Sequence, residues 1–216
     1  MPELYIITGS NGAGKSSIGA EYLPFHIRDK CKIFDGDKLF MQKQKELWQS
    51  GIRAHKEAKK IAFEFVTNSF DDLVENALIG ATDFVYEGHF TNEATWDVPK
   101  RFKANGYSIH LIFFGLNDTS LSELRVIART KEGGHYVDQL TIADNFYGNL
   151  EKLNLHFDMF DTLEIIDTSE INHLILAKFI KGIPEYSISY EELPQWFLKN
   201  LTKMAAQIEF FFNTQG

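Results

Sequence analysis

The feature that most constrains the fold is a glycine-rich segment, GSNGAGKS, at residues 9–16, directly after the apolar run at residues 4–8. It fits the pattern G-x-x-x-x-G-K-[ST] of a phosphate-binding (Walker A) loop between a strand and a helix. Glycines let the backbone curl so that its N–H groups point at a polyphosphate. The start of the following helix adds the positive end of a dipole. The segment therefore predicts a nucleotide site.

The residues of this loop have distinct expected roles. Lys15 can reach the β- and γ-phosphates, and the Ser16 hydroxyl can ligand Mg²⁺. The sequence thus predicts ATP and Mg²⁺ as cofactors. GTP stays open as the nucleotide, because base-reading residues lie on variable loops. The residues expected to bind the nucleotide are Gly9, Asn11, Gly12, Ala13, Gly14, Lys15, Ser16 and Ser17.

Net charge, cysteine content and the length of apolar runs limit the classes of protein to which the chain can belong. The 216 residues carry a formal net charge of −8, which disfavours a general binder of nucleic acid or of an anionic membrane. Cys31 is the only cysteine, so there is no intramolecular disulfide. No apolar run approaches the ~20 residues of a membrane span. These features predict a cytoplasmic protein.

Strand-like and helix-like segments alternate along the chain. Strands are expected at residues 3–8, 32–34, 82–86, 107–114 and 163–166. Helices are expected at residues 16–22, 39–50, 52–79, 91–105, from residue 120, at 140–155 and at 194–212. This alternation predicts an α/β protein with a three-layer P-loop NTPase fold around a central parallel five-stranded sheet. We expect one domain over residues 1–216, with a helical lid inserted around residues 119–155.

Charged side chains follow two of the expected strands. Asp35 and Asp37 come after the second strand, and Glu87 and His89 come after the third. Because ligands of such folds bind beyond the carboxyl ends of the strands, these residues should face the same crevice as Lys15. Asp37 is the expected catalytic base for a substrate hydroxyl. The alternatives are a simple turn around the glycine between the two aspartates, and for His89 a hydrogen-bonded structural histidine.

Two arginines mark the expected lid. Arg125 and Arg129 are four residues apart and share one helix face, and Gly133-Gly134-His135 follows as a flexible hinge. Such a helix could close over ATP and deliver a guanidinium to the transferring phosphate, so both arginines are predicted catalytic residues together with Lys15 and Asp37. The alternative is a solvated helix face that pairs with nearby acids.

Three blocks together resemble the zeta toxin family, in its branch of predicted kinases. They are the phosphate loop, the segment FDGD at residues 34–37, and RVIAR at residues 125–129 followed by GGHYV at 133–137, with NL and KL at 149–150 and 152–153. The resemblance spans about residues 3–170. It implies ATP-dependent phosphorylation of a sugar hydroxyl, as in family members that act on UDP-N-acetylglucosamine. Asp37 would be the base, Glu87 would hold the sugar nucleotide, and Arg125 would neutralise the γ-phosphate.

The chain departs from the family pattern at two positions. His89 stands where the family's Glu-Thr-Thr has its second threonine, so we expect Glu87 and His89 together to contact the substrate. Asn145 stands where the family carries a lid arginine, which removes a charge and a bidentate donor. Rival functions therefore stay open: a kinase for another metabolite or a nucleic-acid end, or a nucleotide-binding regulatory protein without transfer. A toxin of this family would also have an antitoxin-like protein partner.

Overall fold

A computed structural model describes residues 1–134 and 136–215 of the chain. His135, part of the glycine hinge expected from the sequence, lies outside the described residues. Seven strands form one sheet in the part described. They are β1 (Glu3–Gly9), β2 (Phe34–Asp35), β3 (Phe84–Glu87), β4 (Ser108–Gly115), β5 (Thr162–Asp167), β6 (Leu174–Ile180) and β7 (Ile183–Ser187), in the order β2-β3-β1-β4-β5-β6-β7.

The parallel part of this sheet consists of the five strands that the sequence predicts. Pairing is parallel across β2, β3, β1, β4 and β5. The expectation of a five-stranded sheet is corrected by β6 and β7, which add an antiparallel hairpin beside β5. Lys181 (φ 50°) and Gly182 (φ 77°) connect them as a two-residue turn with both φ angles positive, the geometry that suits the twist of a hairpin.

Nine α-helices accompany the sheet within the described ranges. They are α1 (Lys15–Ile18), α2 (Phe25–Arg28), α3 (Gly36–Gln49), α4 (His55–Gly80), α5 (Asp97–Ala104), α6 (Thr119–Lys131), α7 (Gln139–His156), α8 (Gln195–Asn200) and α9 (Thr202–Gln215). The helix expected after the phosphate loop is only one turn long and continues as a 3₁₀ turn, Gly19–Tyr22. The helix expected at 91–105 likewise begins as a 3₁₀ turn, Glu93–Trp96. The last helix is divided at Leu201.

The layers follow from the strand pleat, because successive side chains of a strand point to opposite faces. On β4, Phe113 lies 6.4 Å from Trp196 of α8 between ring centroids, whereas the next residue, Phe114, lies 5.3 Å from Tyr22. The two rings of β4 therefore face different layers. Both phenylalanines are fully buried, which explains why this strand reads as a continuous apolar run.

Helices α3 and α4 form a hairpin with its own small core. Leu47, Ala58 and Ala62 are buried between the two helices. The first residues of α3 directly follow β2, so the hairpin is attached to the sheet next to β3. One wall of the crevice described below is the face of α3 that points away from α4.

Candidate active site

The phosphate loop requires glycine at three positions of positive φ. Gly9, Gly12 and Gly14 have φ angles of 136°, 72° and 90°. A Cβ on Gly9 would stand 2.1 Å from the carbonyl oxygen of Phe114, and one on Gly12 would stand 2.9 Å from Cβ of Arg125. Side chains other than hydrogen are excluded because the neighbouring strand and α6 pack directly on the loop.

Lys15 is folded back onto this loop. Its ammonium donates to the carbonyl oxygens of Gly9 and Ser10, each at 2.9 Å, and the residue is 7% exposed. Burial lowers the pKa of Lys15, while the carboxylates of Glu87 and Asp37 act in the opposite direction. The ammonium thus lies at the loop, beside the end of β3.

Ser16 and Glu87 are in contact. The Ser16 hydroxyl lies 2.8 Å and 3.0 Å from the two carboxylate oxygens of Glu87. The register explains this contact, because Glu87 ends β3 opposite Ile7 of β1, just before the loop begins. Burial raises the pKa of Glu87, and both the charge of Lys15 and the hydrogen bond from Ser16 oppose that shift.

The two aspartates after β2 have different environments. Asp35 caps α3: its carboxylate accepts the backbone N–H of Lys38 at 2.9 Å. Capping of α3 is a structural role for Asp35, although it is a helix start rather than the simple turn that the sequence left open. Asp37 lies in the first turn of α3 and is exposed to the crevice. The carboxylate of Asp37 is therefore the one presented to a ligand.

Two adjoining cavities lie beyond the carboxyl ends of the strands. The first, of about 360 Å³, surrounds the phosphate loop and is bounded by Glu87 and α6. The second, of about 460 Å³, lies between α3 and the residues that follow α6. They meet at three residues that line both, Ser16, Asp37 and Arg129. We call the first the donor cavity and the second the acceptor cavity, after the roles proposed for them under the proposed function.

The arginines of α6 occupy different positions. Arg125 donates to the carbonyl oxygens of Gly12 at 3.4 Å and of Ser169 at 2.9 Å, so its guanidinium joins α6 to the phosphate loop and to the segment after β5. Arg129, one turn later, is exposed at the junction of the two cavities. The N-cap of α6 is Asp118, whose carboxylate accepts the backbone N–H of Leu121 at 2.9 Å.

His89 and Asn145 belong to a polar network on α7. The Asn145 amide donates to the side-chain oxygen of Asn11 at 2.8 Å. The Asn149 amide nitrogen donates to Nδ1 of His89 at 3.1 Å, while its oxygen accepts the N–H of Phe90 at 2.5 Å. Burial, and secondarily the charge of Lys15, lower the pKa of His89 well below its usual range. His89 is absent from the described walls of both cavities.

Several contacts at the site were missed from the sequence. Ser122 donates to the carbonyl oxygen of Asn11, and Thr168 donates to that of Ala13 at 3.0 Å. Asn149 is expected from the sequence only as part of the family motif NL at residues 149–150. Each of these side chains reaches a residue more than 100 positions earlier in the chain or at the end of another strand, and no local pattern signals such contacts.

Comparison with known proteins identifies the family. The family model described as Zeta toxin matches residues 1–178, which is most of the chain. The chain belongs to the zeta toxin family. No curated protein matches its sequence.

Solved structures carry the same fold. A chain from the PezAT chromosomal toxin–antitoxin system of Streptococcus pneumoniae is 19% identical, with a TM-score of 0.60, over 98% of this chain and 88% of that one. A chain of the AvrRxo1-ORF1:AvrRxo1-ORF2 complex, solved with ATP, is 16% identical, with a TM-score of 0.69, over 93% of this chain and 64% of that one. This member of the zeta toxin family thus has the P-loop kinase fold. In the part of the chain described, no helix is long and apolar enough to cross a membrane.

Proposed function

We propose that this zeta toxin family protein is a kinase that transfers the γ-phosphate of ATP to a hydroxyl group of a small molecule. The observation that carries the proposal is the junction of the two cavities. A phosphate loop lines one cavity, an exposed carboxylate faces both, and a guanidinium stands at the same junction. Phosphoryl transfer needs a donor site and an acceptor site that share such groups, because its catalysis is mostly positioning and charge neutralisation.

In this proposal, each residue at the junction has its own role. The loop N–H groups and Lys15 hold the β- and γ-phosphates in the donor cavity. Asp37 orients the acceptor hydroxyl and takes its proton as that oxygen attacks the γ-phosphate. Arg129 stabilises the negative charge on the transferring group. Binding of nucleotide phosphate would replace the Gly9 and Ser10 carbonyls as partners of the Lys15 ammonium.

The oxygen ligands at the loop fit magnesium. No group of three or more His, Cys, Asp and Glu side chains suited to a metal ion occurs among the described residues, so protein side chains alone do not form a cage. Ser16 offers a hydroxyl at the N-terminus of α1 with the Glu87 carboxylate beside it, and both are hard oxygen groups. Ser16 would ligand the ion, and Glu87 would hold a water of its shell. Bound magnesium would neutralise charge on the β- and γ-phosphate oxygens.

The lid forms part of the same proposal. We assign residues 119–155, within one domain over residues 1–216, to a lid over the donor cavity. Its first turns are held on the loop by Ser122 and Arg125, and so act as a fixed stem. Gly133 has a φ of 91°, and the backbone at Gly133 and Gly134 is where we propose that a hinge can bend. Arg125 then supports the nucleotide pocket, and Arg129 reaches the phosphate.

The identities of the acceptor and of a protein partner are proposed from related proteins. Family members that phosphorylate UDP-N-acetylglucosamine support a sugar nucleotide as acceptor. Glu87, on the wall of the donor cavity, remains a residue proposed to contact it, whereas the position of His89 outside the described walls of both cavities speaks against the contact expected for that residue. The ATP in a similar structure supports ATP as donor, and the toxin–antitoxin description of another supports an antitoxin-like protein partner. We propose that the protein acts in the cytoplasm, where ATP is available.

A Lys15→Ala variant tests the donor site. We expect loss of ATP binding in calorimetry and loss of acceptor-dependent ADP release, because the lysine supplies the positive charge that faces the β- and γ-phosphates. Lys43→Ala is the matched control, since Lys43 lies on the face of α3 that contacts α4. ATP binding and transfer by Lys15→Ala at the level of the parent protein would refute the proposal.

A second candidate is a nucleotide-binding protein that has lost transfer. It is favoured by Asn145, which hydrogen bonds to the loop residue Asn11 where the family has an arginine. Tight ATP binding by the parent without turnover of any acceptor would support it. Restoration of transfer by Asn145→Arg would then identify the missing guanidinium as the cause, whereas robust transfer by the parent would eliminate this candidate.

A further inference from the structure

We propose that the tip of the α3–α4 hairpin docks on an anionic lipid surface. The residues assigned to this contact, which we call the docking patch, are two exposed aromatic rings and four exposed cations: Trp48, Arg53, Lys56, Lys59, Lys60 and Phe63. They lie towards the end of the hairpin that is remote from the sheet, because α3 starts at β2 and α4 returns to β3. Docking of this kind needs neither ATP nor transfer, so it is independent of the proposed kinase function.

Positive charge is concentrated in this hairpin. Residues 38–60 contain seven lysines and arginines against two glutamates, whereas the chain as a whole has 22 basic and 30 acidic side chains. The segment therefore has a formal charge of +5, and the remaining residues together have −13. An anionic surface attracts the segment and repels the remainder, so the field of the protein turns the hairpin towards that surface. The net charge of −8 disfavours general binding and leaves this one place open to it.

Helix packing brings the patch to one side of the hairpin. Trp48, Lys59 and Phe63 each directly follow a residue of the small core between α3 and α4, which corresponds to a rotation of about 100° around the helix axis. The helices are antiparallel, because Lys43, before that core on α3, lies over the ring of Phe65, after it on α4. Equal rotations on two antiparallel helices that face each other lead to the same side. Trp48 therefore lies on the same side of the hairpin as Lys59 and Phe63.

The other cations extend this side of the hairpin. One helix face is formed by residues at intervals of three, one and three positions, and α4 has this spacing at Lys56, Lys59, Lys60 and Phe63. The guanidinium of Arg53 lies over the ring of Trp48, 4.4 Å from its centroid. Cations and aromatic rings thus lie side by side on one exposed surface.

The two rings of the patch face solvent. Trp48 is 53% exposed and Phe63 is 66% exposed, although both helices already have a buried contact face. Aromatic side chains among lysines are typical of segments that lie on a membrane surface, where the rings enter the headgroup region and the ammonium groups face the phosphates. Both parts of such a contact are present in the patch.

Most cations of the patch have no acidic partner. Across residues 1–134 and 136–215, no ion pair joins Arg53, Lys56 or Lys59 to a carboxylate. Lys60 lies 3.8 Å from Glu64, and both side chains are exposed, so this pair contributes little. The positive charge of the tip is therefore available to an external anion.

The shape and composition of the patch favour a lipid surface over other anionic partners. Sites for single-stranded nucleic acid run along a positively charged groove, whereas the patch is the outside of a helical hairpin and lines neither the donor nor the acceptor cavity. Interfaces between proteins are depleted in lysine, and three of the four cations here are lysines. A lipid surface needs no fixed positions of the opposing charges and therefore suits long, flexible lysine side chains.

The test measures binding of the full-length protein, without nucleotide, to two kinds of vesicle. One kind is pure phosphatidylcholine, and the other is an equimolar mixture of phosphatidylcholine and phosphatidylglycerol. Sedimentation with the vesicles gives the Kd. Tryptophan emission and its quenching by brominated lipids report on the patch itself, because Trp48 is exposed whereas Trp96 and Trp196 are buried.

We expect binding to the anionic vesicles, with Trp48 emission shifted to shorter wavelength, and no binding to the neutral ones. Lys56→Gln/Lys59→Gln should weaken binding by about fivefold per lysine removed, since each cation near an anionic surface strengthens binding by about that factor. Lys100→Gln/Lys199→Gln is the matched control, because it removes the same charge at exposed positions of α5 and α8, and it should leave the Kd unchanged. Trp48→Phe should retain most of the binding and lose the emission shift.

Absence of binding to the anionic vesicles would overturn the proposal. Binding that leaves the emission of Trp48 unchanged, or that the two double variants weaken equally, would place the contact elsewhere and overturn it as well. A single-stranded RNA oligonucleotide provides a separate arm. A change of Trp48 emission with RNA and none with anionic vesicles would assign the patch to nucleic acid and refute docking on lipid. None of these outcomes depends on whether the protein transfers phosphate.

Discussion

For Asn149, the loss of stability caused by a substitution can be derived from its individual hydrogen bonds. Its side chain is 1% exposed and joins α7 to the ends of two strands. The amide oxygen accepts the N–H of Phe90 at 2.5 Å and the hydroxyl of Thr8 at 3.4 Å, and the amide nitrogen donates to Nδ1 of His89 at 3.1 Å. Because a backbone N–H can only donate, the oxygen of this amide must face Phe90. His89 therefore accepts at Nδ1 and, when neutral, carries its proton on Nε2.

Replacement of Asn149 by alanine removes these partners at once. The Phe90 N–H belongs to a residue that is 3% exposed, and His89 loses its donor. Each buried polar group left without a partner costs about 1–3 kcal/mol, so the loss of two partners should lower the free energy of unfolding by roughly 2–6 kcal/mol. At about 2–4 °C per kcal/mol for a chain of this size, Tm should fall by roughly 4–24 °C. Denaturant unfolding and thermal scans would measure both quantities.

An Asn149→Asp variant adds a pH dependence of predictable sign. In the parent, burial and then Lys15 lower the pKa of His89, so the unfolded chain takes up that proton first as the pH falls. Its contribution to stability is present above the unfolded pKa of about 6.5 and is lost as the pH falls through the lower folded value. In the variant, a carboxylate oxygen facing Nδ1 would raise the pKa of His89 above its value in the parent, which weakens this loss of stability at low pH and reverses it once the folded value exceeds the unfolded one.

The deficit of Asn149→Asp relative to the parent should therefore shrink from pH 7.5 to 5.5, by at most about 1.4 kcal/mol per pH unit. Asn154→Ala serves as a control, because Asn154 makes its hydrogen bonds at the solvent-exposed start of α9. A fall in the free energy of unfolding of less than about 1 kcal/mol for Asn149→Ala would contradict the role of these hydrogen bonds. A deficit of the aspartate variant that is constant or grows as the pH falls would contradict the charge effect on His89.

Three further predictions concern the site and the sheet. Arg129→Ala should reduce the rate of transfer on the order of 10³-fold with little change in the KM for ATP, whereas Arg125→Ala should mainly raise that KM; identical profiles for the two variants would contradict their different positions. Ser16→Ala should raise the magnesium concentration needed for ATP binding in calorimetry, and an unchanged requirement would remove Ser16 from the metal site. Gly115→Ala should lower the free energy of unfolding by about 1–3 kcal/mol, since a Cβ there would lie 2.1 Å from the Trp196 ring; a neutral effect in denaturant unfolding would show that the ring moves away freely.

The sequence predicted the fold well where local pattern and burial agree. The loop pattern and the apolar runs of β1 and β4 required a strand, a phosphate site and a covered sheet, and the five parallel strands follow that outline. The hairpin of β6 and β7 was missed even though Lys181-Gly182 lies between two apolar segments. These segments form strands because they can pair with the free edge of β5, and that edge exists only once the sheet has assembled.

The candidate site likewise contains residues that could be located from the sequence and residues that could not. Asp37 and Glu87 could be located because strand ends in a parallel sheet share one edge, and the structure places both beside Lys15. The contacts of Arg125, Asn145 and Asn149 depend on the path that α6 and α7 take over the loop. Helix periodicity gives the face on which a side chain lies and carries no information about which distant loop that face meets.

The anchoring of the phosphate loop has a consequence for the newly synthesised chain. The loop is complete in sequence after residue 16, yet its backbone is held by Ser122, Arg125 and Thr168, which are 111, 113 and 155 positions later than their partners. During translation, the residues of the loop are therefore synthesised long before the three side chains that hold the loop in place. A nascent chain that ends before residue 119 should therefore contain every loop residue and still fail to bind ATP. We therefore expect the proposed nucleotide binding to appear only after Thr168 has been synthesised and has reached the loop.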